Sequence, residues 1–345
     1  MMSQTPSTNR QMTLAARPFG APTDEHFALV DTDVPTPSNG QVLLRTLYLS
    51  VDPYMRGRMN DAESYADPVP LGGVMVGGTV SKVQISKNDD FKEGDWVLSF
   101  AGWQDYALSD GTGLIKLDPA RMPPSYALGV MGMPGFTAYM GLMDIGQPKA
   151  GETLVVAAAT GAVGSMVAQI GKLQGCRVVG IAGGEEKCRY ALDTLKLDAC
   201  IDHKSEHFAA ELAEACPAGI DIYFENVGGK VFDAVMPLLN TRARIPLCGL
   251  ISQYNRTELP QGPDRLSQLA GLLLVKRITM RGFIIMDDYG HRYPEFAQQM
   301  GQWLAEGKIT YKEQRVEGLE QAPQALIDVL EGKNFGKVVV EVAKD

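Results

Sequence analysis

The chain has 345 residues and few cysteines and histidines. It has no CxxC pair, no cysteine before residue 176, and a single histidine, His26, in its first 200 residues. Zinc sites are built from cysteine, histidine and carboxylate ligands. We therefore expect neither catalytic nor structural zinc, and no other metal site. The five scattered cysteines indicate reduced, mostly buried thiols.

Long apolar runs and an excess of positive charge are also missing. The formal net charge is -9, which argues against nucleic acid or an anionic membrane as a partner. Apolar stretches such as Leu269 to Val275 are too short to span a bilayer. The polar start, MMSQTPSTNR, has no apolar segment of the signal-peptide type, so we expect a cytoplasmic protein. The length suits two domains.

The first part of the chain, up to about residue 130, has the pattern of a β-rich domain. Short β-prone runs are separated by turn-forming groups such as PTPSNG and KEGD. The runs are Gln41 to Leu49, Gly77 to Ile85 and Trp96 to Phe100. This spacing predicts a compact antiparallel barrel or sandwich.

After Pro134 the pattern changes to strands that alternate with helices. The predicted strands are Thr153 to Ala158, Cys176 to Ala182, Ala199 to Ile201, Gly219 to Glu225, Ala243 to Cys248 and Ile278 to Phe283. Helices are predicted over Gly164 to Leu173 and Glu185 to Leu195. The alternation indicates a parallel sheet with right-handed crossovers. A last β-prone run, Gly336 to Val342, is predicted to return to the first domain. The domains would be residues 1–130 with 312–345, and residues 131–311.

The segment Ala159 to Gly164 (ATGAVG) follows a predicted strand and opens a predicted helix. In the dinucleotide fingerprint, the second glycine lets the backbone approach the pyrophosphate, and the third permits close packing of helix on strand. Gly161 and Gly164 occupy those two places, and Ala159 replaces the first glycine. The helix N-terminus would then bind the pyrophosphate. A simple tight turn is the alternative, and the strand–turn–helix context favours the nucleotide site.

The end of the second strand indicates which nicotinamide cofactor is bound. An NAD site usually places an acid there, for the ribose 2′-hydroxyl. Here the strand ends in Ala182-Gly183-Gly184, and Lys187 follows in the first turn of the next helix. One charge-assisted contact to a 2′-phosphate contributes on the order of 1.5–3 kcal/mol. We therefore expect NADPH, although Lys187 as a solvated surface lysine is the alternative.

Without zinc, alcohol oxidation would lack its usual activator. Reduction of a polarised alkene needs less, because hydride goes to the β-carbon and the enzyme must only stabilise and protonate an enolate. Hydroxyl donors aimed at the enolate oxygen can do this. Without zinc, reduction of a polarised alkene is therefore chemically easier than oxidation of an alcohol.

Five motifs resemble those of one enzyme family over nearly the whole chain. They are Leu49 to Arg56 (LSVDPYMR), Ala159 to Gly164, Glu225 to Gly229 (ENVGG), Cys248 to Asn255 (CGLISQYN) and Gly332 to Lys337 (GKNFGK). The chain resembles the zinc-independent medium-chain dehydrogenase/reductases, in particular the prostaglandin and leukotriene reductases, plant double-bond reductases and bacterial NADPH-dependent curcumin reductases. This resemblance implies an α/β fold. A Rossmann-type doubly wound parallel sheet would be joined by a discontinuous, β-rich, GroES-like barrel domain.

The resemblance also implies site residues. Tyr254 would stabilise the enolate, through its own hydroxyl or the ribose 2′-hydroxyl, and Tyr54, Met133 and Tyr289 would line the substrate pocket. The cofactor would be bound by Gly161, Ala162, Val163, Gly164, Lys187, His203, Asn226, Cys248, Gly249, Leu250, Ile251, Ser252, Tyr254, Phe283, Ile284, Ile285 and Asn334.

Several alternatives to these implied roles stay open. Tyr54 could be a core aromatic, and the loop at Asn226 could be a simple turn. His203 stands where many relatives have tyrosine, and protonated it could assist the phosphate. The implied activity is NADPH-dependent reduction of α,β-unsaturated ketones and aldehydes by a homodimer, with quinone or carbonyl reduction as the alternative. A non-catalytic nucleotide-binding protein is the third hypothesis.

Overall fold

A computed structural model describes residues 7–258 and 265–345 of the chain. The chain divides into two compact units. The first contains the residues up to Gly129 together with Glu313–Asn334 and Val338–Asp345, and the second contains Val130–Lys312 and Phe335–Lys337. The sequence had placed the whole of 312–345 in the first domain. Phe335–Lys337 instead groups with the second unit, where the backbone N–H of Gly336 donates to the carbonyl of Thr160.

The helices and strands are numbered here in chain order. Up to residue 129 they are β1 (Thr8–Leu14), β2 (Phe27–Asp33), β3 (Val42–Ser50), α1 (Met55–Arg58), β4 (Thr79–Ser86), β5 (Trp96–Ser99), β6 (Tyr106–Ser109) and β7 (Ile115–Leu117). Up to residue 312 they are α2 (Met133–Met140), β8 (Thr153–Ala157), α3 (Gly164–Leu173), β9 (Arg177–Ala182), α4 (Glu185–Asp193), β10 (Ala199–Asp202), α5 (Phe208–Ala215), β11 (Ile220–Phe224), α6 (Gly229–Val235), β12 (Leu239–Leu247), α7 (Leu266–Lys276), β13 (Thr279–Gly282), α8 (Ile285–Tyr289) and α9 (Tyr293–Ala305). The last elements are β14 (Glu313–Glu317), α10 (Ala322–Leu330) and β15 (Lys337–Glu341).

In the first unit, a large β-sheet is accompanied by a separate hairpin. Within the described residues the sheet has seven strands, ordered β14-β15-β3-β4-β5-β7, with β6 pairing β3; β1 and β2 form the hairpin. The pairs β3–β4, β4–β5, β5–β7, β3–β6 and β15–β3 are antiparallel, as the sequence predicted. The core includes Leu49, Met55 and Trp103 from the front of the chain and Leu326 and Val340 from its end, so the two chain segments share one core.

The second unit contains a parallel sheet of six strands in the described part of the chain. Its order is β10-β9-β8-β11-β12-β13, and every neighbouring pair is parallel. This confirms the predicted doubly wound sheet. Every residue of β8 is buried, as expected for a central strand covered on both faces. The strand order reverses between β8 and β11, and ligands of such sheets bind at the carboxyl ends of the strands at that point.

The predicted bounds agree closely for most elements of this sheet but not for β12. Helix α3 spans Gly164 to Leu173 as predicted, whereas β12 begins at Leu239 rather than at Ala243. The register shifts here, because Ile220 pairs with Leu239 while Ile222 pairs with Arg244. The early part of β12 is therefore an irregular, polar stretch without the apolar run that identifies a strand. In the described residues, no helix is long and apolar enough to cross a membrane.

Candidate active site

The loop after β8 has the backbone geometry of a phosphate-binding turn. An added Cβ on Gly164 would lie 2.2 Å from the carbonyl oxygen of Ala158, so only glycine lets α3 start this close to the strand. At Gly161 an added Cβ would meet only the Ala158 oxygen, at 3.3 Å, which leaves the other side of the turn open. The two glycines thus satisfy the packing and the approach requirements of the fingerprint. Ala162 and Val163 lie between them, at the start of α3.

Ala159 occupies the position of the first glycine in the fingerprint. Its side chain is fully buried, and its Cβ would lie only 2.9 Å from an added Cβ on Gly180 of β9. The left-handed residue of the turn is its neighbour Ala158, with φ 52°. The turn is therefore made one residue earlier than the motif alone suggests, and Ala159 packs against β9.

A group of basic side chains surrounds the loop after β9. An added Cβ on Gly183 would lie 2.9 Å from Nε2 of His203 and 3.5 Å from Cε of Lys204, so both side chains pack against this glycine. Lys187 is half-buried on α4, and burial together with the charge of Lys204 lowers its pKa. The charge of Lys230 on α6 also acts on His203. We call Lys187, Lys204, Lys230 and His203 the basic cluster.

The basic cluster suits a dianionic phosphate. Nδ1 of His203 is buried and has no hydrogen-bond partner among the described residues, so a bound ligand could supply that partner. Burial and the charge of Lys230 lower the pKa of His203, which keeps the imidazole neutral near pH 7 in the absence of a ligand. In the free protein the lysines therefore carry the positive charge of the basic cluster, and assistance of the phosphate by a protonated His203 stays a prediction.

Asp202 is the acid nearest to this pocket. Its carboxylate accepts hydrogen bonds from the backbone N–H groups of Gly184 and Lys204, each at 2.9 Å. Burial alone would raise the pKa of Asp202, but these bonds and the charges of His203 and Lys204 lower it. The carboxylate is engaged with the two loops, and no acid occupies the end of β9 itself.

At the carboxyl ends of β11 and β12 the backbone of Glu225 joins two loops of the cleft. Its carbonyl accepts the N–H groups of Cys248 and Gly249, at 3.0 and 3.1 Å. Its carboxylate accepts those of Val227 and Gly228, at 2.6 and 2.9 Å. Burial raises the pKa of Glu225, and burial beside Glu225 raises the pKa of the Cys248 thiol to about 12. This acid, which sequence reasoning did not single out, fixes the shape of both loops.

Asn226 and Tyr254 face this same end of the sheet. Nδ2 of Asn226 donates to the carbonyl of Ala157 at 2.8 Å, which joins β11 to β8 at the reversal of strand order. The hydroxyl oxygen of Tyr254 accepts the N–H of Leu250 at 3.3 Å. An added Cβ on Gly249 would lie 3.1 Å from that oxygen. The phenol therefore folds back beneath the Gly249–Leu250 turn. Ile251 and Ser252 follow in a short 3₁₀ helix.

Phe283, Ile284 and Ile285 follow β13 and lead to Tyr289 at the end of α8. Phe283 and Tyr289 meet edge to face, with ring centroids 6.1 Å apart. The hydroxyl of Tyr289 donates to Oδ2 of Asp144 at 2.6 Å. Burial and this bond raise the pKa of Tyr289 to about 12. The Tyr289 hydroxyl therefore keeps its proton and is engaged in the hydrogen bond to Asp144, which leaves the ring as the part that can contact a ligand.

The remaining site candidates belong to two different units. Met133 is the first residue of α2 in the second unit, and its carbonyl accepts the hydroxyl of Thr137 at 2.7 Å. In the first unit, Tyr54 precedes α1 and packs against the core of that unit. Burial and the charge of Asp52 raise the pKa of Tyr54, so its phenol stays protonated. Asn334 follows α10 and is partly buried.

Sequence reasoning missed two further groups of residues. Lys204 and Lys230 join the basic cluster only through the fold, although the carboxyl end of β10 beside that of β9 was a usable signal for Lys204. The second group is Phe335, Tyr190 and Lys312, in which the Phe335 ring contacts the other two side chains. In the described residues, no group of three or more His, Cys, Asp or Glu side chains is placed to hold a metal ion.

Comparison with known proteins extends these observations. Residues 10–117 match a model described as the N-terminal domain of oxidoreductase, and residues 162–305 match one described as zinc-binding dehydrogenase. The chain is 64% identical to the NADPH-dependent curcumin reductase of Escherichia coli (strain K12), with 100% of both chains covered. It is 43% identical to the prostaglandin reductase 1 of Mus musculus, covering 93% of this chain and 95% of the relative.

A solved structure gives the same result. CurA from Vibrio vulnificus, in complex with NADPH, is 68% identical to this chain and superposes with a TM-score of 0.95, covering 97% of this chain and 100% of that one. The motif-based resemblance is thereby confirmed over the full length. The chain belongs to the medium-chain dehydrogenase/reductase family, in the group that contains the prostaglandin and curcumin reductases.

Proposed function

We propose that this protein is an NADPH-dependent reductase of the carbon–carbon double bond in α,β-unsaturated ketones and aldehydes, including curcumin-type substrates. The observation that carries the proposal is the basic cluster beside a glycine turn at the reversal of a doubly wound sheet. Full-length likeness to an NADPH-dependent curcumin reductase supports the substrate class. The 40% identity to the NADP⁺-dependent 2-alkenal reductase of Nicotiana tabacum supports it further.

The residues present fit NADPH. The open side of Gly161 and the N-terminus of α3 would hold the pyrophosphate. The basic cluster would hold the 2′-phosphate, with Lys187 as the half-buried donor. Asn226 and the loop from Cys248 to Ser252 would hold the nicotinamide half, together with the segment from Phe283 to Ile285 and with Asn334.

When bound, NADPH supplies the hydride for the β-carbon of the substrate. Tyr254 would then donate a hydrogen bond to the developing enolate oxygen, directly or through the ribose 2′-hydroxyl. The Leu250 N–H that points at the phenol oxygen polarises the hydroxyl and makes it a better donor. Tyr54 and Met133 are proposed to line the substrate pocket. Tyr289 would contribute the shape of its ring rather than a proton, since its hydroxyl is bonded to Asp144.

The reaction is tested with NADPH carrying deuterium at the transferred position and an enone as substrate. We expect deuterium on the β-carbon of a saturated ketone. Deuterium on the carbinol carbon of an allylic alcohol, which is the former carbonyl carbon, would refute double-bond reduction in favour of carbonyl reduction. Turnover of a quinone with no turnover of enones across a panel would refute it in favour of quinone reduction. No NADPH oxidation with either class would favour a non-catalytic protein.

We also propose that the protein is a homodimer, with a second copy covering β13 and α7. In the described residues β13 pairs only with β12 and lies at the edge of the sheet, with Thr279 and Arg281 exposed. On α7, Leu274 is 78% exposed and Val275 is 70% exposed. An open strand edge beside exposed apolar side chains is a surface that proteins usually cover, and an edge strand can pair with its own copy about a two-fold axis.

Light scattering after size-exclusion chromatography checks the assembly. The wild-type protein should elute at twice the chain mass of 37.4 kDa, and Leu274→Lys should shift it towards the monomer. A monomeric wild-type protein would overturn the dimer.

A cytoplasmic location is proposed as well, supported by five free cysteines. Cell fractionation with detection of the native chain tests it.

A further inference from the structure

Gly336, near the end of the chain, lies against the phosphate-binding turn of the second unit. The N–H of Gly336 donates to the carbonyl of Thr160 at 3.2 Å, and Gly161 and Gly336 form a parallel bridge. Thr160 directly precedes Gly161, whose open side is proposed to receive the pyrophosphate. The backbone at Gly336 thus helps to fix the turn from outside the βαβ unit that contains it.

The chain can pass here only because residue 336 is glycine. Its φ is +82°, and an added Cβ would lie 2.4 Å from the carbonyl oxygen of Lys312. The same Lys312 carbonyl accepts the N–H of Lys337 at 3.0 Å. Backbone lies on both sides of Gly336, with Thr160 on one and Lys312 on the other. A side chain at this position must therefore push the segment off the turn.

Phe335 makes the second set of contacts, to α4. Its ring meets that of Tyr190 edge to face, with centroids 4.9 Å apart and planes at 86°. Nζ of Lys312 lies 4.7 Å from the Phe335 ring centroid and 5.8 Å from that of Tyr190. These distances are in the range of favourable aromatic and cation–π contacts. Tyr190 follows Lys187 by three residues on α4, so the two lie on neighbouring turns of one helix face.

We propose that Phe335 and Gly336 are positioning residues that hold the pyrophosphate turn and the Lys187 helix in one arrangement and thereby set NADPH affinity. This inference rests on the proposed function. The two anionic parts of NADPH would be bound by separate elements, the turn after β8 and α4. Phe335 contacts α4 through Tyr190, and Gly336 contacts the turn through Thr160. Holding both elements before the cofactor arrives reduces the ordering cost of binding.

The variants Phe335→Leu and Gly336→Ala test this arrangement. Phe335→Leu removes the ring and keeps apolar volume, and its matched control Phe335→Tyr keeps the ring. Gly336→Ala introduces the clash with Lys312. Its control is Gly307→Ala, because Gly307 has φ +66° with open space around an added Cβ. Dissociation constants for NADPH and NADH are measured by cofactor fluorescence without substrate, followed by kcat at saturating NADPH and by the melting temperature.

We expect Phe335→Leu to raise the Kd for NADPH about two- to fivefold, the range of the contacts that it loses. The Kd for NADH should change less, because NADH has no 2′-phosphate for Lys187 to reach. Gly336→Ala should weaken both cofactors through the turn, and about tenfold for NADPH. The kcat at saturating NADPH should be kept in Phe335→Leu. Both control variants should bind NADPH as the wild type does.

Three results would overturn the proposal. The first is unchanged NADPH affinity in Phe335→Leu. The second is an equal loss of NADPH and NADH affinity in Phe335→Leu together with a lower melting temperature, which would be a merely structural effect. The third is a wild-type protein that does not bind NADPH, which would remove the proposed function as well. The binding assay needs no substrate, so failure of the enone reaction is distinguished from failure of this positioning role. If Gly336→Ala does not fold, Phe335→Leu still decides.

Discussion

Replacing Lys187 tests the basic cluster most directly. Lys187 is half-buried, and burial together with the neighbouring charge of Lys204 lowers its pKa. A lysine held in this way has lost part of its hydration before the cofactor arrives. Binding of a 2′-phosphate to this charge would therefore have a smaller desolvation cost. The substitution Lys187→Met removes that charge and keeps most of the apolar stem.

A charge-assisted hydrogen bond contributes about 1.5–3 kcal/mol. Each 1.4 kcal/mol is about tenfold in affinity, so Lys187→Met should raise the Kd for NADPH about ten- to a hundredfold. Lys204 is exposed. Solvent screens its contribution to about 0–1 kcal/mol, so Lys204→Met should raise the Kd about fivefold at most. Loss of Lys204 also removes the repulsion that lowers the pKa of Lys187, which partly offsets the loss.

The assay is a fluorescence titration of NADPH and NADH at low and at high salt. NADH affinity should stay within about twofold of the wild type in both variants, since a twofold change is only about 0.4 kcal/mol. Lys308→Met serves as the charge-matched control, because Lys308 pairs with Glu306 on an exposed surface far along the chain from the cluster. Equal losses for NADPH and NADH, or an unchanged Kd in Lys187→Met, would refute the assignment of the 2′-phosphate to this cluster.

Three further predictions concern catalysis, packing and pH. Tyr254→Phe should lower kcat for an enone by about 10²-fold or more while the NADPH Kd stays the same, as measured by steady-state kinetics and titration; an unchanged kcat would contradict the donor role. Gly164→Ala should reduce the free energy of unfolding by about 1–3 kcal/mol in urea titration, because its Cβ would lie 2.2 Å from the Ala158 oxygen, and full stability would contradict that packing. The hydrogen bond from Tyr289 and the contacts of Arg292 outweigh burial and lower the pKa of Asp144. A carboxyl whose pKa is lower in the folded protein than in the unfolded chain stabilises the fold above the unfolded pKa of about 4, and this stabilisation is lost as the pH falls. Asp144→Asn should therefore flatten the loss of stability on acidification, and a pH profile that matches the wild type would contradict this.

The positions of most strands and of the phosphate loop could be predicted because their signals are local. β8 is a continuous apolar run, and Gly161 and Gly164 stand at fixed offsets from its end. Local sequence also showed that no acid occupies the end of β9. The start of β12 could not be predicted, because a register shift against β11 carries polar residues into the strand. The lowered pKa of His203 depends on burial and on Lys230, which lies in a different βα unit.

The contacts of Glu225, of Phe335 and of Gly336 likewise join residues that are far apart in the chain. The sequence by itself determined the fold class, the glycine turn and the cofactor type, since each depends on residues within one strand–turn–helix segment. Only the tertiary structure decided that Lys204 lies beside Lys187 and that Lys230 lies beside His203, and that the Tyr289 hydroxyl donates a hydrogen bond to Asp144. The physical reason is that charge, burial and hydrogen bonding act through space, whereas sequence patterns report only on neighbours along the chain.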